Sequence, residues 1–164
     1  MSRPAPLLVA LTLLPLTAAC GFHLQGVSHL PAAFAVTAVV AADRYTEFNR
    51  ALSDALRVSG SHVVGDGGDA TATIEVLGDE NGQRVLSVSA SNTPTEYEVY
   101  YTVRYRVRVG ARELLAPPPL TLTRDYSFDT AAVLAKEHEQ EMIRAALARE
   151  LAALVMRRLT ALAP

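Results

Sequence analysis

Tryptophan is absent, and cysteine and lysine occur once each in 164 residues. A lone Cys20 cannot close an intramolecular disulfide, so the fold must be held by packing. The four histidines (His23, His29, His62, His138) show no HxH or HExxH spacing. His138 and Glu141 lie three apart on a helical stretch, but two ligands do not make a metal site. There is no GxSxG, and no glycine-rich loop leads from a strand into a helix; Gly65-Asp66-Gly67-Gly68 reads as a turn. Glu137, Glu139 and Glu141 belong to one charged turn and leave no isolated carboxylate pair for acid–base work. With no nucleophile–base pair, metal cluster or cofactor motif, the chain does not read as an enzyme, and no cofactor is expected. A formal net charge of −2 gives no basic field for nucleic acid. Long hydrophobic runs are missing too. The longest, Leu7 to Leu16, contains Pro15 and is far shorter than the ~20 residues of a membrane-spanning helix.

That run has the length of the apolar region of a signal peptide. Arg3 precedes it without any acidic residue, and Thr17-Ala18-Ala19 supply the small residues a signal peptidase accepts. Cys20 follows at once, which resembles the lipobox of bacterial lipoproteins, although Thr17 stands where a leucine is usual. Two readings exist: an ordinary secretory signal that leaves a free thiol, or a lipid anchor on Cys20. The anchor is favoured, because a single exposed thiol in an oxidising compartment has no partner. Two or three acyl chains hold stably to a membrane where one is marginal. Gly21, in place of an aspartate, points to the outer membrane. The expected organisation is a signal over residues 1–19, a lipidated leader over 20–33 and one domain over 34–164.

Within that domain Phe34 to Val40 is a β-branched candidate strand. Over Asp43 to Arg57, Phe48, Ala51, Leu52, Ala55 and Leu56 fall on one helical face, with Asp43 or Thr46 as cap and Gly60 as terminator. Ala70 to Leu77 alternates as a strand, and Asn81-Gly82 is a hairpin signal that returns the chain into Arg84 to Ser91. From Tyr97 to Val109 valines and tyrosines occupy the odd positions, while Arg104, Arg106 and Arg108 share the even ones. A half-buried antiparallel strand explains such alternation. Gly110 to Pro119 reads as a proline-rich connection and Leu120 to Phe128 as another strand. Near Ala131 a helix begins whose stripe is Ile143, Leu147, Leu151, Leu154, Val155 and Leu159. The fold class is therefore α+β: two helices packed on one face of a mostly antiparallel, roughly four-stranded sheet. The other face is left polar and arginine-bearing. Arg104, Arg106 and Arg108 form either a solvated face or a contact for a polyanion or for acidic groups of a partner.

Three segments in order resemble the lipopolysaccharide-assembly lipoprotein family (LptE, also RlpB). They are Cys20-Gly21-Phe22-His23-Leu24, Thr95-Glu96-Tyr97, and Leu134-Ala135-Lys136-Glu137-His138-Glu139-Gln140-Glu141-Met142-Ile143. The resemblance implies a non-enzymatic outer-membrane lipoprotein, anchored from the periplasmic side through its N-terminal lipid. It would plug an LptD-type outer-membrane β-barrel, assist that barrel's assembly and bind lipopolysaccharide. By the same resemblance Lys136 becomes a lipopolysaccharide contact, the plain alternative being a helix-start lysine paired with Glu139 or Gln140. A second basic family position falls on Ala90, so Arg84 or the Arg104–Arg108 row is a substitute. The competing reading is a lipidated periplasmic subunit of a lipid-transporting ABC system. A periplasmic hydrolase is disfavoured by the missing nucleophile and base.

Overall fold

The computed structural model describes residues 30–65, 69–129 and 132–162; Cys20, the signal and residues 20–29 of the leader lie outside them. The elements in order are β1 (Val36–Ala41), α1 (Glu47–Val58), β2 (His62–Val64), β3 (Ala72–Val88), β4 (Pro94–Val109), β5 (Arg112–Leu115), β6 (Leu120–Ser127) and α2 (Val133–Thr160). The α+β class holds, but the sheet has six strands, not four, and it is mixed. β1 lies between β2 and β3 and is parallel to both. The antiparallel part is β3–β4, with β5 and β6 sharing the far edge of β4. β5 falls inside the stretch expected to be an irregular connection.

α1 forms where the apolar period changes, and both of its ends are built from the sequence. Thr46 caps it, its hydroxyl accepting from the Asn49 N–H at 3.2 Å. At the other end Gly60 takes φ +87°, Ser61 N–H donates to Leu56 O and Gly60 N–H to Arg57 O, both at 3.0 Å. Those are the two bonds of a Schellman closure, which a side chain at residue 60 would strain. Phe48, Leu52 and Leu56 are fully buried against the sheet. α2 places Leu147, Leu151, Val155 and Leu159 in the same core, with Ile143 and Leu154 at its margin. From the sheet come Ile74, Val99, Tyr101, Val103, Tyr105 and Val107. Each fully buried side chain of this kind stabilises by about 1.5–3 kcal/mol relative to exposure. Packing starts ahead of β1, since Phe34 is buried and Leu30 lies against the core.

The Asn81-Gly82 expectation is corrected. β3 passes through both residues without turning; Asn81 is paired with Tyr101 and Gly82 with Tyr100. The chain reverses later, at Ser89–Thr93, where Ser89 N–H donates to Thr93 O at 2.8 Å and Asn92 takes φ 60°. Asparagine tolerates that left-handed conformation better than most residues. What overrides the local signal is β4, sixteen residues long and paired along nearly its whole length. Gly82 has another use within the strand. A Cβ there would lie 2.6 Å from Tyr100 Oη, so the missing side chain lets the ring lie across β3. β1 pairs with β3 only from Ala72 to Val76. From Leu77 to Val88 the outer edge of β3 has no neighbouring strand among the described residues.

Candidate functional site

The polar face of the sheet is built by the cross-strand register. Glu75 is directly opposite Arg106 and diagonal to Arg108. Arg106 donates to Glu75 Oε2 from Nε at 2.7 Å and from Nη2 at 2.5 Å, and Arg108 Nη1 reaches Oε1 at 3.4 Å. Those bonds, the Arg106 bond first, hold the Glu75 carboxyl below its ordinary value against the opposing effect of burial. Arg104 Nη2 lies 3.5 Å from Glu80 Oε1, and Arg84 is ion-paired with Glu98, its cross-strand neighbour. Glu113, opposite Arg108 on β5, adds its charge to the field at Arg106. The three arginines keep about half their side-chain surface (54, 40 and 41% exposed), but glutamates answer them in turn. This is a wet surface of alternating sign, not a free polycation. The sequence placed the arginines on one face correctly; the answering glutamates were invisible until the register was known.

Lys136 rises from the first turns of α2, the helix on the opposite side of the sheet from Arg84 and the arginine row. The two residues assigned to lipopolysaccharide, Lys136 and Arg84, are thus not brought together. Lys136 is largely covered (18% exposed) and its Nζ contacts Glu139 Oε2 at 2.7 Å. Beside it the sheet carries an aromatic group. The Tyr97 and Tyr126 rings stack with centroids 5.8 Å apart, and Phe128 meets Tyr97 edge-on at 5.3 Å. Tyr126 Oη donates to Gln83 Oε1 at 2.9 Å. Burial, then the charges of Tyr97 and Glu139, raise the Tyr126 hydroxyl pKa, while Lys136 and Arg144 pull it down. Arg144 therefore joins Lys136 near this cluster. Its Nε is buried and meets no acceptor among the described residues. In the sequence Arg144 is one charged residue among several on an amphipathic helix, with nothing to single it out. An unanswered arginine shows itself only once the neighbours are known.

No three metal-ligating side chains gather among the described residues, and none of the described helices is long and apolar enough to cross a membrane. His138 Nδ1 and Glu141 Oε2 are 3.8 Å apart on an exposed face.

The family described as LptE, lipopolysaccharide-assembly, matches residues 35–159. The chain belongs to that family. Its members are assembly lipoproteins and not enzymes. Among similar sequences is the LPS-assembly lipoprotein LptE of Pectobacterium atrosepticum, 27% identical over 145 residues, covering 88% of this chain and 78% of the relative. That of Yersinia enterocolitica is 27% identical over 155 residues, covering 93% and 73%. Among solved structures, a lipoprotein B from Nitrosomonas europaea superposes with a TM-score of 0.70 at 28% identity, over 86% of this chain and 91% of that one. The rare lipoprotein B of Shewanella oneidensis, at 23% identity and a TM-score of 0.66 over 77% and 94%, shares the fold. With the family established, the chain takes part in lipopolysaccharide assembly.

Proposed function

We propose that this chain is an outer-membrane lipoprotein, acylated on Cys20, that fills the lumen of an LptD-type β-barrel. It assists that barrel's assembly and the insertion of lipopolysaccharide into the outer leaflet. The observation that supports the plug reading is the ion-paired polar face of β3 and β4. The lumen of a large outer-membrane barrel is polar and water-filled. A surface whose arginines and glutamates already satisfy one another can enter it without burying an unpaired charge. Arg104, Arg106 and Arg108 then face the partner as members of pairs.

Lys136 and Arg144 are the lipopolysaccharide contacts in this reading. Lys136 shares its ammonium between Glu139 and a phosphate; Arg144 brings a guanidinium without a carboxylate partner among the described residues. Arg84, paired with Glu98 on the far face, is the weaker assignment. Co-purification from detergent-solubilised envelopes tests the partner: a single large β-barrel in equal amount is expected, whereas an inner-membrane ATPase and permease would replace this reading by the transporter-subunit one. Cys20→Ala should release the chain into the soluble periplasm. Lys136→Ala should weaken lipopolysaccharide binding by about tenfold, the loss of one charge-assisted hydrogen bond. Undiminished binding would remove Lys136 from the site.

A further inference from the structure

α1 covers the core face of the sheet incompletely. On the side toward β2 it leaves a cleft of ≈ 390 Å³, within the size range of small-molecule sites. Val39 and Val63 form its apolar floor, both packed on the core from strands β1 and β2. Arg50 and Arg57 line one wall from α1, and Arg44 stands on the loop before the helix. Arg57 is engaged by Asp54 at 2.8 Å. Arg44 and Arg50 have no carboxylate partner among the described residues, although the chain as a whole is acidic. Asn49 supplies an independent pointer. It is 3% exposed and lines the cleft; its Nδ2 is spent on Asp43 O, yet its Oδ1 is a buried acceptor with no donor. Buried acceptors are nearly always satisfied.

A ligand that answers all three features carries an anionic group for the two guanidinia, a hydroxyl for Asn49 Oδ1 and a hydrocarbon chain for the valines. We propose that this cleft binds a phosphorylated, hydroxyl-bearing lipid headgroup together with the start of its acyl chain. The phosphate lies between Arg44 and Arg50, where planar guanidinia suit its oxygens. The site is separate from Lys136 and Arg144, goes beyond the plug reading, and stands even if the barrel partnership fails. Two lipids share the chemistry: a phosphatidylglycerol and the phosphorylated glucosamine lipid at the base of lipopolysaccharide.

The test uses the full lipidated chain in phosphatidylcholine nanodiscs, titrated calorimetrically with hexyl phosphate. Hexyl phosphate should bind about tenfold more tightly than inorganic phosphate or hexanol, because only it meets both charge and floor. The double variant Arg44→Gln, Arg50→Gln should lose about tenfold or more in that affinity. Arg124→Gln, which breaks an exposed pair with Glu150 elsewhere, should leave it unchanged. Displacement by a short-chain phosphatidylglycerol assigns the glycerophospholipid as source; displacement by a phosphorylated glucosamine disaccharide with short acyl chains assigns the glycolipid. Equal binding of inorganic and hexyl phosphate, full affinity in the double variant, or displacement by neither headgroup would each overturn the proposal.

Discussion

Replacing Thr46 by valine keeps the shape of the side chain and removes its hydroxyl, which has two tasks. It accepts from Asn49 N–H at 3.2 Å and donates to Asp79 Oδ2 on β3 at 2.5 Å. The same helix end is held a second time by β4, since Phe48 N–H donates to the buried Tyr101 Oη at 3.3 Å. Burial, with Asp79 close by, raises the pKa of that hydroxyl well beyond its ordinary value, so it stays protonated. Loss of an N-cap costs about 1 kcal/mol, and up to about 2 in protein hosts. A half-buried carboxylate that loses its hydroxyl donor adds about 1 kcal/mol. The sum for Thr46→Val is about 2 kcal/mol, or about 8 °C in melting temperature for a domain of this size. Thr46→Ser retains the hydroxyl and should cost under about 0.5 kcal/mol, serine and threonine being comparable caps. Tyr101→Phe should cost about 1 kcal/mol through the orphaned amide. Because both residues act on one turn, the double variant should be less damaged than the sum of the singles. Urea and thermal unfolding followed by far-ultraviolet circular dichroism read all four. If Thr46→Val melts with the wild type, or Thr46→Ser falls as far as the valine variant, the capping argument is wrong.

The Glu75 carboxyl titrates below its ordinary value of 4.5, so its contribution to stability is complete above that pH and fades as the pH falls through the native-state value. The difference in urea midpoint between wild type and Glu75→Gln should accordingly be largest at pH 7 and shrink toward pH 3; a gap that widens with acid would contradict this sign. Gly82→Ala should destabilise by about 1 kcal/mol, because its methyl displaces the Tyr100 ring. On a Tyr100→Ala background the same change should stabilise by about 0.5 kcal/mol, since glycine inside a strand is itself unfavourable; equal signs in the two backgrounds would refute the contact.

β4 and the part of α2 from Ile143 onward were legible because their burial is one-sided. A strand with one wet face must alternate, and valine and tyrosine at every odd position from Tyr97 to Val109 leave little choice. The helix stripe from Ile143 to Leu159 is equally constrained. Asn81-Gly82 misled because a turn propensity is local, whereas the demand of β4 for a long partner is not. The reversal instead falls at Ser89–Thr93, where Asn92 supplies the left-handed residue. The parallel placement of β1 depends on where α1 returns the chain, which composition does not encode. β2 and β5 are three and four residues long, too short for alternation to show. At the polar face the sequence showed charges of one sign together. Register decided that Glu75 and Glu80 would stand among them. The cleft beside α1 was not legible, since its cations come from a loop and from the flank of a helix read only for its apolar side.

The edge of β3 that has no neighbouring strand among the described residues divides its backbone amides into two populations. Up to Val76 the strand has neighbours on both sides, so successive N–H groups all find acceptors in one strand or the other. Beyond it, N–H groups aimed at β4 are tied down, while alternate ones face outward and must be met by water. Amide hydrogen exchange along β3 should therefore change from continuous protection to a rhythm of two, and the register shifts between Val85 and Val88 should set that rhythm out of step. A partner that adds a strand along this edge would silence the fast-exchanging half alone, and one that covers either face would leave the rhythm as it stands. The backbone thereby keeps its own record of the direction from which the protein is approached.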